Sequence, residues 1–438
     1  MAFAAHARAR ARGPVLFWRN RAYSCSRALA RLLIRKRGSS IQPNLNFSRL
    51  GENYLFSEVR ARTRAFCEAH PGVRVTDLGV GDVTLPLAAP VVRALRAACA
   101  EMGRRETFRG YGPAEGYAFL REALAARYAR LGARISPEDI FVSDGAKSGL
   151  AAILALFSPH NTVLVPSPGY PVYVDTNLVC GRQLHTLAAT RENGFLPLPG
   201  PGTQAGVVYL CSPGNPTGAA YSADGLAAWV RWALGSGALL VFDAAYEAFI
   251  QDKALPHSIY QIEGARECAI EIGSFSKSAG FTGLRCGWAV VPQALRAGGV
   301  PLRGLYARWR AISTNGVAYP VQRAAAAALS CEGRAAVAKN IQAYRKNAQV
   351  LAAALQQAGV WYCGGKNSPY LWLEAPRGMG SWALFEHLLH TARVSGTPGA
   401  GFGPGGEGYF RLSAFGDAEA TRRAAARLCL SLGMLAGK

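Results

Sequence analysis

Lys277 stands between two serines in "SFSKSAGFTGLR", directly after the apolar run "CAIEIG". A lysine at the end of a buried strand is either badly placed or doing chemistry. Three other segments carry groups that suit a working lysine. "CSPGNPTG" holds Asn215 and Pro216, "VFDAAYEAF" holds Asp243 and Tyr246, and "YFRLSAF" holds Arg411. Ser274 and Ser276 precede the lysine, and Arg285 follows it. Each segment has a plainer reading: Asp243 as a helix cap, "NPTG" as a turn, Arg411 as a surface residue. Their joint order resists a purely structural explanation. A free lysine titrates near ~10.4. Burial beside other cations can hold it neutral, and it then acts as nucleophile and base. Such a lysine suits an imine with an aldehyde cofactor, and the groups around it point to pyridoxal phosphate. Asp243 would pair with the pyridinium nitrogen. Asn215 and Tyr246 would hydrogen-bond the ring's phenolic oxygen. Ser274, Ser276 and Arg285 would hold the phosphate, the arginine bidentately. "SDGAKSGL" opens a helix after its strand, so the backbone N–H groups of Ala146 and Lys147 would face the same anion.

These residues need a scaffold that brings loop ends together. The runs "VTDLGV", "DIFVSDG", "TVLVPSP", "GVVYLCSP", "ALLVFDAAY", "CAIEIGSFS" and "RCGWAVVP" read as strands, separated by alanine-rich helical stretches. Most are continuously apolar and end in Gly, Pro, Ser or Asp. That pattern predicts an α/β fold whose mostly parallel sheet is buried on both faces. The chemically loaded residues fall at the strand ends, where open α/β sheets bind ligands. Past about residue 325 the pattern changes to a long helical run over 321–355, then "YLWLEA", a helix and "EGYFRLSAF", which reads as a smaller α+β domain. The expected divisions are a leader at 1–43, an arm and part of the small domain at 44–75, a large domain at 76–325 and the small domain at 326–438. The glycine-rich "GTPGAGFGPGGEGYF" reads as a loop over a site.

The 438 residues are 50% hydrophobic and 17% charged, which allows a sizeable core and excludes a disordered or coiled-coil chain. No charge-free apolar run is long enough to span a membrane. Ten cysteines show no CxxC pair, as expected of free thiols in a reducing compartment. His387 and His390 could share a helix face but lack a ligand set for a metal. The net charge of +22 is concentrated at the start: residues 1–43 contain no acid, and "SRALARLLIRKR" places Arg27, Arg31 and Arg35 on one helical face. This leader is similar to an organelle transit peptide, with a basic tail for nucleic acid or anionic lipid as the alternative. Without it the charge excess is milder, as suits an enzyme of anionic substrates.

The order and spacing of these motifs resemble fold-type-I aminotransferases, and among them the LL-diaminopimelate aminotransferase family. The words that carry the resemblance include "ENYLFSE", "LGVGDVTLPL", "GYPVYVDTN", "LPHSIYQIEGA" and "GFGPGGEGYFRLSAF", spread from Asn44 to the C-terminus. The resemblance implies that Tyr170 stacks on the cofactor ring. It implies that Tyr111 reaches the phosphate from the partner subunit of a homodimer, and that Arg411 clamps the substrate α-carboxylate. Tyr54, Gly81, Lys147, Asn215 and Asn315 match positions that line the family's substrate pocket. The implied reaction is amino transfer between glutamate and tetrahydrodipicolinate, a step toward lysine. With the leader, it implies a plastid, or else a mitochondrion or the cytoplasm. The family pattern Gly-Pro-Glu-Gln-Gly reads here Gly112, Pro113, Ala114, Glu115, Gly116. Either Glu115 meets the substrate's distal ammonium after a local shift, or that contact is lost. The alternative function is a related aminotransferase for an aromatic amino acid, alanine or aspartate. A regulator or nucleic-acid binder on the same fold is disfavoured, because the whole catalytic set is present and no helix-turn-helix is appended.

Overall fold

Apolar runs pair into one sheet in the first part of the chain and a second sheet near its end. The computed structural model describes residues 41–51 and 54–437. The leader therefore lies, up to residue 40, outside the described residues. The first sheet comprises β1 (Ile140–Ser143), β2 (Val163–Ser167), β3 (Leu184–Ala188), β4 (Val207–Cys211), β5 (Leu239–Asp243), β6 (Ala269–Ser274) and β7 (Gly287–Val290). Their order is β1-β7-β6-β5-β4-β2-β3. Every pairing is parallel except those of β7 with β1 and β6. Alternate residues bury on opposite faces: Val207 and Tyr209 join one core, Val208 and Leu210 the other. A sheet covered by helices on both faces needs such continuous apolar strands.

The second sheet is antiparallel: β8 (Tyr362–Gly364), β9 (Tyr370–Glu374), β10 (Thr397–Pro398) and β11 (Tyr409–Ser413), in the order β8-β9-β11-β10. Leu371, Leu373, Phe410 and Leu412 join a core with residues of the helices α1 (Leu55–Ala69), α2 (Cys331–Ala358), α3 (Ser381–Thr391) and α4 (Ala418–Ala436). Side chains alternate along a strand, so Tyr370, Trp372 and Arg411 share the opposite face. Trp372 is the cross-strand partner of Arg411.

Several expectations change. "VTDLGV" is no strand of the large sheet. Only Thr76–Asp77 pairs, in parallel with Val394–Ser395, because the Asp77 carboxylate accepts from the N–H of Gly79 at 2.8 Å and turns the chain. β3 was not expected; it is an edge strand with exposed residues, so no unbroken apolar run announces it. The helical run over 321–355 breaks at Ser330, an extended residue whose hydroxyl caps the next helix by accepting from Gly333 N–H at 3.0 Å.

Gly273 on β6 pairs with Trp288 on β7, and a Cβ there would lie 2.2 Å from the indole. Trp288 cannot retreat, because its ring packs on Phe275 and its N–H donates to Tyr128 at 2.9 Å. Gly273→Ala is expected to cost about 1–3 kcal/mol in urea unfolding, as overpacked cores do.

Candidate active site

The carboxyl ends of β2, β4, β5 and β6 open into a cavity of about 470 Å³, closed on its far side by Tyr370 and Arg411 from the second sheet. That volume suits a cofactor with a small substrate. Lys277 enters it from the one-turn helix Phe275–Ser278 that begins where β6 stops. Its ammonium donates to the Gly81 carbonyl. Burial pulls its pKa down to about 8; Asp82 opposes the shift, while Arg411, Arg285 and Lys147 add to it. At pH 7 such a lysine is roughly one-tenth neutral, against well under a thousandth for a free one.

Asp243 ends β5 and is buried. Its carboxylate accepts from the Tyr173 hydroxyl at 2.6 Å and from Ala245 N–H at 3.0 Å, and has no cation partner among the described residues. Burial raises its pKa. A buried acid lacking a positive partner is costly unless a ligand supplies the charge, and a protonated ring nitrogen is such a charge.

Arg411 is fully buried on β11. Its guanidinium donates to Asn215 Oδ1 at 2.5 Å and to the Gly79 carbonyl at 2.6 Å, and lies 4.3 Å over the Tyr370 ring. Its Nε has no hydrogen-bond partner among the described residues. Tyr246, also buried, shares a 2.7 Å hydrogen bond with the Tyr370 hydroxyl.

A third cluster is built for an anion. Arg285 donates to Ser276 Oγ at 3.3 Å, and Ser274 Oγ accepts from Ser276 N–H at 3.1 Å. The nine-residue helix Ala146–Leu154 begins beside them, presenting Ala146 and Lys147. Gly145 is required here, because a Cβ would lie 2.3 Å from the Arg285 guanidinium and its φ is +120°. Arg285 holds a left-handed φ of 64°, a strained value that the surrounding site must maintain.

Tyr170 and Tyr54 both line the cavity, and Lys147 approaches the Tyr54 ring to 5.9 Å. Gly81 lines it too, since a Cβ there would fall 2.2 Å from the Tyr370 hydroxyl. Three expected residues are not brought to the cavity by a single chain. Tyr111 is 90% exposed, Asn315 is exposed, and Glu115 is half-buried with its carbonyl tied to Val142 N–H at 2.8 Å. Their two loops pack on each other, Gly316 against Pro113, and so hold these side chains outside the cavity. Sequence reasoning missed Tyr173, Tyr370, Asp82 and Arg60, which also line it. Tyr173 follows Tyr170 by three residues, a helical spacing that could have paired them; nothing local marks the others.

The geometry invites comparison with known proteins. The family model Aminotransferase class I and II matches residues 73–428. The chain belongs to that family, and its fold is the fold-type-I arrangement expected from its motifs. It is 46% identical over 400 residues to the LL-diaminopimelate aminotransferase of Agathobacter rectalis, covering 88% of this chain and 99% of that one. It is 45% identical over 392 residues to the enzyme of the same name from Bacteroides thetaiotaomicron, covering 85% and 95%. The solved L,L-diaminopimelate aminotransferase from Chlamydomonas reinhardtii superposes with a TM-score of 0.84 at 38% identity, covering 89% of this chain and 98% of that one.

Acylation of Lys277 by an amine-selective reagent, read by peptide mass spectrometry on cofactor-free protein, is expected to rise with pH about a midpoint near 8. A midpoint near the ordinary ~10.4 would show that burial does not hold the amine neutral.

Proposed function

We propose that the chain is a pyridoxal-phosphate-dependent LL-diaminopimelate aminotransferase, exchanging an amino group between glutamate and tetrahydrodipicolinate. The observation that carries this reading is a single cavity faced by the low-pKa amine of Lys277, the carboxylate of Asp243, which lacks a cation partner among the described residues, and the buried guanidinium of Arg411. The choice of substrate rests on the names of the relatives at 45–46% identity.

When bound, pyridoxal phosphate would supply an aldehyde for the amino group and a ring that accepts the electron pair released at the substrate α-carbon. Asp243 would hold the ring nitrogen, and Tyr173 keeps that carboxylate oriented. Ser274, Ser276, Arg285 and the N–H groups of Ala146 and Lys147 would hold the phosphate. Tyr246 and Asn215 would hold the phenolic oxygen, and Tyr170 would lie against the ring. Arg411 binds the substrate α-carboxylate and so orients the α-carbon toward Lys277, whose amine takes the proton from that carbon. Tyr54, Gly81 and Lys147 face the rest of the substrate. The working unit is a homodimer in this reading. Phe108, Tyr111 and Ile312 are 61%, 90% and 72% exposed, large apolar side chains that a second copy would cover as it brings Tyr111 to the neighbouring cavity.

Holoenzyme given LL-diaminopimelate and 2-oxoglutarate is expected to form glutamate, and to do so faster than with aspartate, alanine or phenylalanine as donor. Preference for one of those donors would move the substrate reading to the alternative aminotransferase. Lys277→Ala is expected to abolish turnover in protein that still melts cooperatively. Arg411→Leu is expected to lower kcat/KM by roughly thirty-fold or more, the usual loss for one partner of a buried charge pair, with smaller loss of cofactor affinity. Equal loss of both would mean that Arg411 does not bind substrate.

A further inference from the structure

Tyr370 is among the most deeply buried polar side chains at the site, at 1% exposure, and it belongs to the second sheet. It makes contacts in three directions. Its hydroxyl lies 2.7 Å from that of Tyr246, the residue facing the phenolic oxygen in the reading above. Its ring lies 4.3 Å beneath the Arg411 guanidinium. Its carbonyl packs on the Asn215 loop, where a Cβ on Gly218 would fall 2.7 Å from it. The backbone is held in place: Tyr370 N–H donates to Ser368 Oγ at 3.1 Å, and its carbonyl accepts from Gly365 N–H at 2.7 Å.

We propose that Tyr370 is a positioning residue that donates its hydroxyl proton to Tyr246, leaving the Tyr246 proton free to point into the cavity, while its ring seats Arg411. The inference rests on the preceding assignment of Tyr246 and Arg411. One hydrogen is shared between two hydroxyl oxygens, so one tyrosine must donate. The cation over the Tyr370 ring withdraws electron density and makes that hydroxyl the more acidic donor. Burial raises the pKa of both phenols, and the Arg411 charge is the strongest influence lowering that of Tyr370. A hydrogen bond received by Tyr246 strengthens the one it gives. One side chain of the smaller sheet thereby links the carboxylate-binding side of the cavity to its proton-donating side.

The test is a pH titration of the visible absorbance of the holoenzyme. A hydrogen bond given to the phenolic oxygen lowers the proton affinity of the conjugated system, so weakening it raises the midpoint. Tyr370→Phe keeps the ring under Arg411 and removes only the hydroxyl. Its midpoint is expected to rise by about half a unit to one unit, as one net hydrogen bond would produce. Turnover should fall about three- to ten-fold, with KM for the amino donor within about two-fold. Added to Tyr246→Phe, the substitution should move the midpoint no further, because the two act through one bond. An unmoved midpoint in Tyr370→Phe, or a full second shift in the double variant, overturns the inference. Should Tyr370→Phe fail to fold, Tyr370→Met removes the same hydroxyl and must give the same upward shift, and an unmoved midpoint there is equally decisive against it. Wild-type protein that takes up no pyridoxal phosphate overturns the preceding reading together with this one. A normal wild-type titration with an unmoved Tyr370→Phe overturns this inference alone.

Discussion

Lys277 sits where burial and three neighbouring cations disfavour its charge, and much of the surrounding structure serves that condition. An amine in water is protonated at neutral pH; this one is held near its titration point by where the chain places it. The placement needs a strand that carries the lysine inward and then stops. β6 does so, ending at Ser274, whose side chain caps the single helical turn bearing Lys277. The cations that press on it come from three other places: Arg285 from the following loop, Lys147 from the helix after β1, and Arg411 from the second sheet.

A polar network behind the cavity holds the strands that meet there. Glu271 on β6 is buried, and burial pushes its pKa up to about 7. Its two oxygens accept from Tyr128 and Ser258 at 2.6 Å, and Trp288 completes the chain through Tyr128. Glu247, next to Tyr246, pairs with Arg127, and His257 lies 3.2 Å from its other oxygen. Apart from one Arg127 nitrogen, which has no hydrogen-bond partner among the described residues, the members bond to one another, and the network ties β6 to the loop after β5. Lys277 and Tyr246 leave from those two elements.

The two sheets divide the work. The large sheet presents groups that would hold a cofactor: Asp243 with Tyr173, the Arg285–Ser276 pair and the helix start at Ala146. The small sheet, through Tyr370 and Arg411, closes the cavity over them. Arg411 bridges the division, since its guanidinium donates to Asn215 on the large-sheet side and to Gly79 on the segment joining the two.

The sequence by itself determined the α/β class, most of the parallel strands and the residues with chemical potential, because each rests on local pattern. Continuous apolar runs require burial on both faces, and a strand ending in Asp243 or Ser274 delivers that residue to the sheet's carboxyl edge. Edge strand β3 escaped notice because exposure breaks its apolar run, and "VTDLGV" misled because an aspartate turn outweighs two good β-formers. Only the tertiary structure decided which charged groups share a cavity. Tyr370 and Arg60 are far from Lys277 in the chain, and no periodicity connects them to it. Tyr111, Glu115 and Asn315 carry family motifs yet stand outside the cavity of one chain, since the packing of Gly316 on Pro113 is a contact between distant segments. Proximity across the crevice between two sheets, and the pKa shifts that follow from it, arise from long-range packing that local sequence does not encode.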